Sequence, residues 1–150
     1  MQTTNTEPCM WAEPQTVATW TVDGLRSITP PDCLHIRDLT ITGPIDSLEG
    51  IQALVHLERL VCSSKSLTCI EPLSTLIQLR ELILSGCAVS SLEPLNDCVE
   101  LVILDISHNF CITSLAALGP KPRLTYLKCQ FNSISSLAGL ESCPSLEYLN

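Results

Sequence analysis

The chain has few aromatic residues, no long apolar run, and far fewer cationic than anionic side chains. Lys and Arg total 8 against 16 Asp and Glu, so the formal net charge of the 150 residues is −8. Because phosphate backbones and anionic membranes are bound through clustered cations, this charge argues against nucleic acid and membrane partners. Polar residues follow Met1, and no apolar run approaches the roughly 18 residues of a spanning helix. We therefore expect a cytoplasmic chain without a signal peptide.

Motifs that carry catalysis or metal binding are also missing. The sequence contains no GxxxxGK[ST], G-x-S-x-G, HExxH or C-x-x-C, the common signatures of phosphate loops, hydrolases and zinc or redox sites. The best remaining pair of catalytic side chains is His108 with Cys111. A nucleophile and its base must lie within about 2.6–3.2 Å, with a third group orienting the base; we expect instead a surface histidine beside a loop thiol. The sequence thus predicts no enzyme, cofactor or metal.

What the chain does contain is a leucine pattern that recurs at a nearly constant period. One strand position is leucine six times, at intervals of 21, 22, 22, 23 and 22 residues: Leu39, Leu60, Leu82, Leu104, Leu127 and Leu149. The third repeat shows the full L-x2-L-x-L-x2-N-x-L signature, with cysteine at the asparagine position: Leu79, Leu82, Leu84, Cys87, Val89, Leu92 and Leu95. A period of this length predicts a solenoid in which each coil packs on its neighbours.

These residues resemble the leucine-rich repeat family, in particular its short 22-residue class, which includes a regulatory subunit of protein phosphatase 1 and the bacterial internalins. The resemblance extends from about Ile36 to Asn150. It implies an α/β solenoid with right-handed curvature, a parallel β-sheet on the concave face where a protein partner binds, and no catalysis. The serine-rich second halves of the repeats favour 3₁₀ turns or extended backbone on the convex side.

The asparagine ladder of the family is incomplete in this sequence. Asn109 and Asn132 match the pattern, whereas Pro44, Lys65 and Cys87 depart from it. An inward asparagine satisfies backbone groups in the turns, so the first three coils must satisfy those groups with other side chains or water. We therefore expect a looser N-terminal half.

We divide the chain into an N-terminal segment, 1–31, and a repeat region, 32–150, with five full repeats and the start of a sixth. In the first segment, Ala18, Trp20 and Val22 alternate with threonines, which predicts a half-buried strand. We interpret the segment as a cap that seals the solenoid core; the alternative is a leader of which only Trp20 packs.

The chain stops in the middle of the sixth repeat strand, at Asn150, without a polar terminal coil. An uncapped solenoid end exposes apolar core and unpaired strand groups. We favour a fragment of a longer repeat protein as the explanation. The alternative is a purpose-built open end, which would self-associate through Leu146, Tyr148 and Leu149.

The nine cysteines are odd in number, and many of them fall in core columns of the repeat, which argues against a disulfide framework. Cys62 and Cys129 share an inward column with aliphatic residues, and Cys98 and Cys143 share another. Within each of these columns no cysteine has another in the adjacent coil. We therefore expect reduced thiols that pack as small hydrophobes.

On a strand, outward residues alternate with buried ones, so the concave face follows directly from the register. In the first three repeats two outward columns alternate in charge from coil to coil. We call this set the charge checkerboard, and interpret it as mutual neutralisation rather than a docking site, because opposite charges on neighbouring strands stabilise each other. Its columns are Arg37, Glu58 and Arg80, and Asp38, Arg59 and Glu81.

Toward the C-terminus the outward positions become apolar and aromatic. Contiguous apolar surface with tyrosines often marks an interface, although strands also favour such residues in general. We favour the interface, with one acid and one lysine at its centre supplying polar specificity. This concave stripe consists of Val61, Ile83, Ile103, Asp105, Tyr126, Lys128, Phe131 and Tyr148.

The sequence therefore predicts a non-enzymatic scaffold or regulatory module that binds a protein partner on its concave face. The identity of that partner is not encoded in any motif. One alternative is the targeting or substrate-recognition part of a larger enzyme. Another is a surface adhesion protein, which would need an export signal and should contain disulfides rather than free thiols.

Overall fold

Seven short strands form one parallel sheet in chain order. The computed structural model describes residues 16–20 and 35–150. Consecutive parallel strands need a crossover, and from Asp38 onward each crossover is one coil of a curved, right-handed solenoid whose concave face is the sheet. The strands are β1 (Val17–Trp20), β2 (Asp38–Ile41), β3 (Arg59–Cys62), β4 (Glu81–Ile83), β5 (Ile103–Asp105), β6 (Tyr126–Lys128) and β7 (Tyr148–Leu149).

The return segments between strands contain 3₁₀ helices, as the serine-rich spacing predicts. A serine just before the turn accepts a hydrogen bond from the backbone N–H two residues later in several coils: Ser47 from Glu49, Ser91 from Glu93, Ser114 from Ala116 and Ser136 from Ala138. Such local bonds compete with α-helix and favour tight turns. The helices are η1 (Ile51–Ala53), η2 (Glu71–Thr75), η3 (Glu93–Leu95), η4 (Ala116–Leu118) and η5 (Leu140–Ser142).

The repeating leucine is the centre of every described coil. Leu39, Leu60, Leu82, Leu104 and Leu127 are directly paired from strand to strand and are fully buried. One continuous apolar core runs along the solenoid. The predicted register is therefore confirmed, because a slip of one residue would have turned these leucines outward.

The N-terminal strand extends the sheet by one position. β1 pairs with β2 in parallel, with Ala18 beside Leu39. Ala18 and Trp20 pack against the core, as their alternation with threonine predicts. Val22 lies outside the described residues, and the division at residue 31 stays a prediction.

Different groups satisfy the turn backbone in early and late coils. The Asn109 carboxamide accepts a bond from the Val89 N–H at 3.0 Å and donates to the Leu84 and Ile106 carbonyls at 2.9 Å. In the second coil Ser64, one residue before Lys65, faces inward instead: its hydroxyl donates to the Ile45 carbonyl at 2.6 Å and accepts from the Ile45 N–H at 3.0 Å.

In the third coil a thiol occupies the ladder position. Cys87 Sγ accepts a bond from the Ser64 N–H at 3.4 Å and lies 3.8 Å from the Cys62 carbonyl. The two residues belong to different columns, but the solenoid brings Cys87 against Cys62, and this proximity raises the pKa of Cys62 and lowers the pKa of Cys87. All seven described cysteines are free.

A lysine lies in a core column where the repeat predicts an aliphatic residue. Lys121 follows Cys98 and precedes Cys143 at the same repeat position, and it is fully buried. Its Nζ donates to the carbonyls of Leu118 at 2.6 Å, Pro120 at 3.1 Å and Asn96 at 3.2 Å. The stem thus fills the aliphatic position while the three carbonyls satisfy the ammonium. Burial nevertheless lowers the pKa of Lys121.

Candidate protein-binding surface

The charge checkerboard is paired within itself. Arg59 bridges two strands, with Nη1 2.9 Å from Asp38 Oδ1 and Nε 3.1 Å from Glu81 Oε1. The hydrogen bond that Arg59 donates to Asp38 raises the pKa of Arg59 despite some desolvation. In the neighbouring column Glu58 pairs with both Arg37 and Arg80. The prediction of mutual neutralisation is therefore confirmed.

The column that carries charge in early coils carries apolar side chains in later ones. Ile103 is paired with Glu81 on one side and Tyr126 on the other, and Tyr126 is paired with Tyr148. The two tyrosine rings stack with centroids 4.2 Å apart and planes 6° apart. Ile103 and Tyr126 are half-buried, and Tyr148 is exposed. The outer faces of these side chains remain accessible.

The adjacent outward column holds the other predicted strand residues. Val61 is paired with Ile83, Ile83 with Asp105, and Asp105 with Lys128; all four are half-buried. Lys128 Nζ lies 5.5 Å from the centroid of the Tyr126 ring, and Tyr126 is the main cause of a raised Lys128 pKa. The structure thus places these residues beside the tyrosine column on one concave surface.

Phe131 lies just beyond the strands and belongs to an aromatic cluster that the strand register did not predict. Its side chain is 62% exposed, and its ring stacks on His108 with centroids 4.3 Å apart. His108 also meets Phe110 edge-to-face at 6.3 Å, and Phe110 is 65% exposed. We call His108, Phe110 and Phe131 the aromatic edge.

A comparison of equivalent repeat positions in the sequence could have identified part of this cluster. His108 and Phe131 occupy the repeat position that is glycine in two earlier coils, Gly43 and Gly86, and all four residues have positive φ. Aromatic residues at a position that favours glycine are unusual. The imidazole of His108 is used in ring stacking, and no hydrogen bond in the described structure joins it to Cys111.

A second exposed apolar column lies away from the concave sheet. Val55, Ile77 and Val99 occupy equivalent positions between the 3₁₀ turns and the following strands, and all three are exposed. We call them the lateral column. They are similar in size and hydrophobicity to the concave aliphatic residues and therefore provide a matched control surface.

Two further features of the described residues bear on ligands and membranes. Within residues 16–20 and 35–150 no group of three or more His, Cys, Asp or Glu side chains is arranged to hold a metal ion. In the same residues no helix has the length and apolar character needed to cross a membrane.

Comparisons with known proteins agree with this geometry. The family described as Leucine Rich repeats (2 copies) matches residues 77–120. An internalin (inlF) from Listeria monocytogenes superimposes with a TM-score of 0.74 at 24% identity, covering 77% of this chain and 34% of that one. Internalin C2 (inlC2) from the same organism gives 0.66 at 22% identity, covering 79% of this chain and 53% of its own. No curated protein matches the sequence significantly.

The chain thus contains leucine-rich repeats over residues 77–120 and has the leucine-rich repeat fold. It has the fold of a protein-interaction repeat module, a curved solenoid whose concave sheet offers an extended surface. It spans 34% and 53% of the two internalins, well under two thirds of either length.

Proposed function

We propose that this leucine-rich repeat module is a non-enzymatic scaffold or regulatory protein that binds a protein partner through the C-terminal half of its concave face. The observation that carries the proposal is the change within one sheet column. Asp38, Arg59 and Glu81 are engaged in ion pairs, whereas the continuation of their column at Ile103, Tyr126 and Tyr148 is apolar and partly accessible.

Several physical considerations support this surface. Tyrosine supplies large contact area with few rotatable bonds and is enriched among residues that dominate binding energy. The Tyr126 and Tyr148 rings are already stacked, so little side-chain entropy would be lost when a partner covers them. Asp105 and Lys128 lie in the adjacent column, where they would supply polar specificity to an otherwise apolar contact.

We also propose a reducing compartment such as the cytoplasm as the site of action. The support is chemical: Cys62, Cys87, Cys98 and Cys143 are buried free thiols that take aliphatic or ladder positions in the core. Burial raises the pKa of Cys98 to about 11, which keeps this thiol protonated and unreactive near neutral pH.

The test compares two triple variants as bait in cell lysate. The first changes Ile103, Tyr126 and Tyr148 to serine; the control changes the lateral column, Val55, Ile77 and Val99, to serine in the same way. Bound proteins are identified by mass spectrometry after circular dichroism shows that both variants are folded. We expect specific partners to be lost from the concave variant and retained by the lateral one. The opposite pattern would move the binding site to the lateral column.

A further inference from the structure

Four departures from the rules of the repeat meet at the aromatic edge. The first is exposure: Phe110 and Phe131 are 65% and 62% exposed, while His108 lies between them and contacts both rings. Contiguous exposed aromatic surface is uncommon on a protein that functions alone. The stacked arrangement also holds the rings in place before any ligand arrives.

The second departure is backbone conformation. His108 and Phe131 have φ of 57° and 58°, and the same repeat position is Gly43 and Gly86 in other coils, with φ of 93° and 75°. A residue with a Cβ is disfavoured in this left-handed region, which glycine adopts without a steric penalty. Glycine would therefore suit the fold better at both positions, and strain of this kind concentrates at functional sites.

The third and fourth departures are an inserted residue and an unpaired acceptor. The repeat that contains Phe110 is one residue longer than its neighbours, 23 residues from Leu104 to Leu127. The Ile112 N–H donates to the Asn109 carbonyl at 3.2 Å, rather than to the ladder side chain of the next coil. Asn132 Oδ1 consequently has no hydrogen-bond partner among the described residues. Local violations that weaken a fold are expected where function requires them.

The charged residues around the aromatic edge indicate which ligand groups it would bind. All four arginines of the described residues form salt bridges, Lys121 is buried, and the exposed Lys65 follows β3, three strands away from β6. Lys128 is solvent-accessible, contacts the Tyr126 ring, and forms no salt bridge in this part of the chain. The nearby Asp105 carboxylate accepts a hydrogen bond from the Ser107 N–H at 3.0 Å. Lys128 is thus an available cation in a chain whose net charge is −8.

We propose that the aromatic edge and Lys128 together form a docking site for an extended protein segment that carries an apolar side chain close to a carboxylate. The apolar side chain covers the faces of Phe110 and Phe131, and the carboxylate pairs with Lys128. Lys128 and Phe131 are three residues apart, at most about 10 Å along the chain, so both ligand groups fall within about three residues of one extended peptide. This inference rests on the proposed function and specifies the kind of partner.

The test selects ligands from a phage-displayed library of random 12-residue peptides on the 150-residue chain. Affinities of the selected peptides are then measured by fluorescence polarisation. The double variant His108→Gly, Phe131→Gly replaces both rings with glycine. Because the backbone favours glycine at these two positions, thermal melting should show no loss of stability. Ile77→Ser, at a position 55% exposed in the lateral column, is the matched control. Lys128→Glu tests the charge without touching the aromatic rings.

We expect selected peptides to contain an apolar residue within about three positions of Asp or Glu. The double glycine variant should bind these peptides at least about tenfold more weakly, a loss of roughly 1.4 kcal/mol of binding free energy. Ile77→Ser should change the affinity by less than about twofold. A second selection on Lys128→Glu should replace Asp and Glu with Lys and Arg. That reversal is expected only if Lys128 faces the ligand directly.

The concave variant with serine at Ile103, Tyr126 and Tyr148 separates this inference from the proposed function. Peptides lost from the concave variant but retained by the glycine variant would overturn the docking edge and leave the concave face as the binding site. Peptides lost only from the glycine variant would support the edge and contradict the part that the proposed function gives to Ile103, Tyr126 and Tyr148. Enrichment of no peptide, or of peptides insensitive to both variants, would overturn both.

Discussion

The two halves of the concave sheet share one buried framework and differ on the surface that it presents. Leu60 in the first half and Leu104 in the second occupy the same column and are both fully buried. Outward from them, Arg59 is held by two carboxylates, whereas Ile103 is paired with Tyr126, and Tyr126 with Tyr148. The inward residues therefore determine the fold, and the outward residues are free to determine binding.

The turns show a second contrast between the halves. Ser64 and Cys87 satisfy early coils with a hydroxyl and a thiol, while Asn109 links backbone groups of two coils through a fully buried amide. An amide is a stronger hydrogen-bonding group than a thiol. The expectation of a looser N-terminal half thus stays a prediction with a stated physical cause.

The largest effect is expected for the shared framework. Leu60→Ala and Leu104→Ala should each lower the free energy of unfolding by about 2–5 kcal/mol through lost burial and a residual cavity, out of roughly 5–15 kcal/mol in a typical domain. Tyr126→Ala should cost much less, because its side chain is half-buried on the surface. Urea denaturation measures all three. Equal destabilisation by Tyr126→Ala and Leu104→Ala would contradict the division into framework and surface.

A smaller effect should distinguish the turns. Asn109→Ala leaves the Val89 N–H and the carbonyls of Leu84 and Ile106 without their partner, and each buried unsatisfied group costs about 1–3 kcal/mol. Ser64→Ala removes partners from Ile45 alone, so its destabilisation should be smaller. Hydrogen exchange of the turn amides would show which turns unfold locally in each variant. A larger loss for Ser64→Ala would reverse the contrast between the two halves.

Buried Lys121 should add a pH dependence to the second half. Burial lowers its folded-state pKa below the ordinary value of 10.5, so the unfolded chain binds the proton more tightly. Unfolding free energy should therefore rise with pH between the lowered pKa and 10.5, because in that range the unfolded lysine still holds a proton that the folded lysine has released.

The matched control is Lys121→Met, which keeps the aliphatic stem and removes the charge. Cysteines such as Cys98, whose pKa is raised by burial, contribute the opposite trend above their ordinary value, so the difference between the two proteins is the informative quantity. Parallel pH profiles of the unfolding free energy for wild type and Lys121→Met would show that the ionisation of Lys121 does not contribute to the pH dependence of stability.

The smallest effect is expected for the charge checkerboard. A double-mutant cycle on Arg59 and Glu81, with each changed to alanine, should give a coupling of about 0.2–1 kcal/mol because the pair is partly exposed. Added salt should reduce that coupling by screening. A coupling of several kcal/mol that is insensitive to salt would show that the first half depends on its surface charges for stability.

Much of the fold follows from the leucine period. The recurring Leu82 and Leu104 predict the parallel register, and Glu71-Pro72 and Glu93-Pro94 mark the starts of η2 and η3, where proline loses no hydrogen bond. The paired charges also follow, because strand neighbours are known once the register is fixed. These features depend on local spacing, which is directly visible in a sequence.

Features that depend on contacts between columns are harder to predict. Cys62 and Cys87 belong to separate columns, and only the packing of successive coils shows that their thiols meet. Lys121 occupies an aliphatic position because three carbonyls surround its amine, an arrangement that the repeat pattern does not contain. The same holds for the stacking of His108 on Phe131, which depends on two positive φ angles outside the strands.

The most direct measurement is the affinity of a captured partner for two variants of the concave face. One carries Ile103→Ser, Tyr126→Ser and Tyr148→Ser. The other carries Asp38→Arg, Arg59→Glu and Glu81→Arg, which keeps opposite charges on adjacent strands while reversing their order. We expect the first to weaken binding at least about tenfold and the second to change it by less than about threefold. Loss of binding in the charge-reversed variant, with full affinity in the serine variant, would place the interface on the N-terminal half and contradict the proposed function.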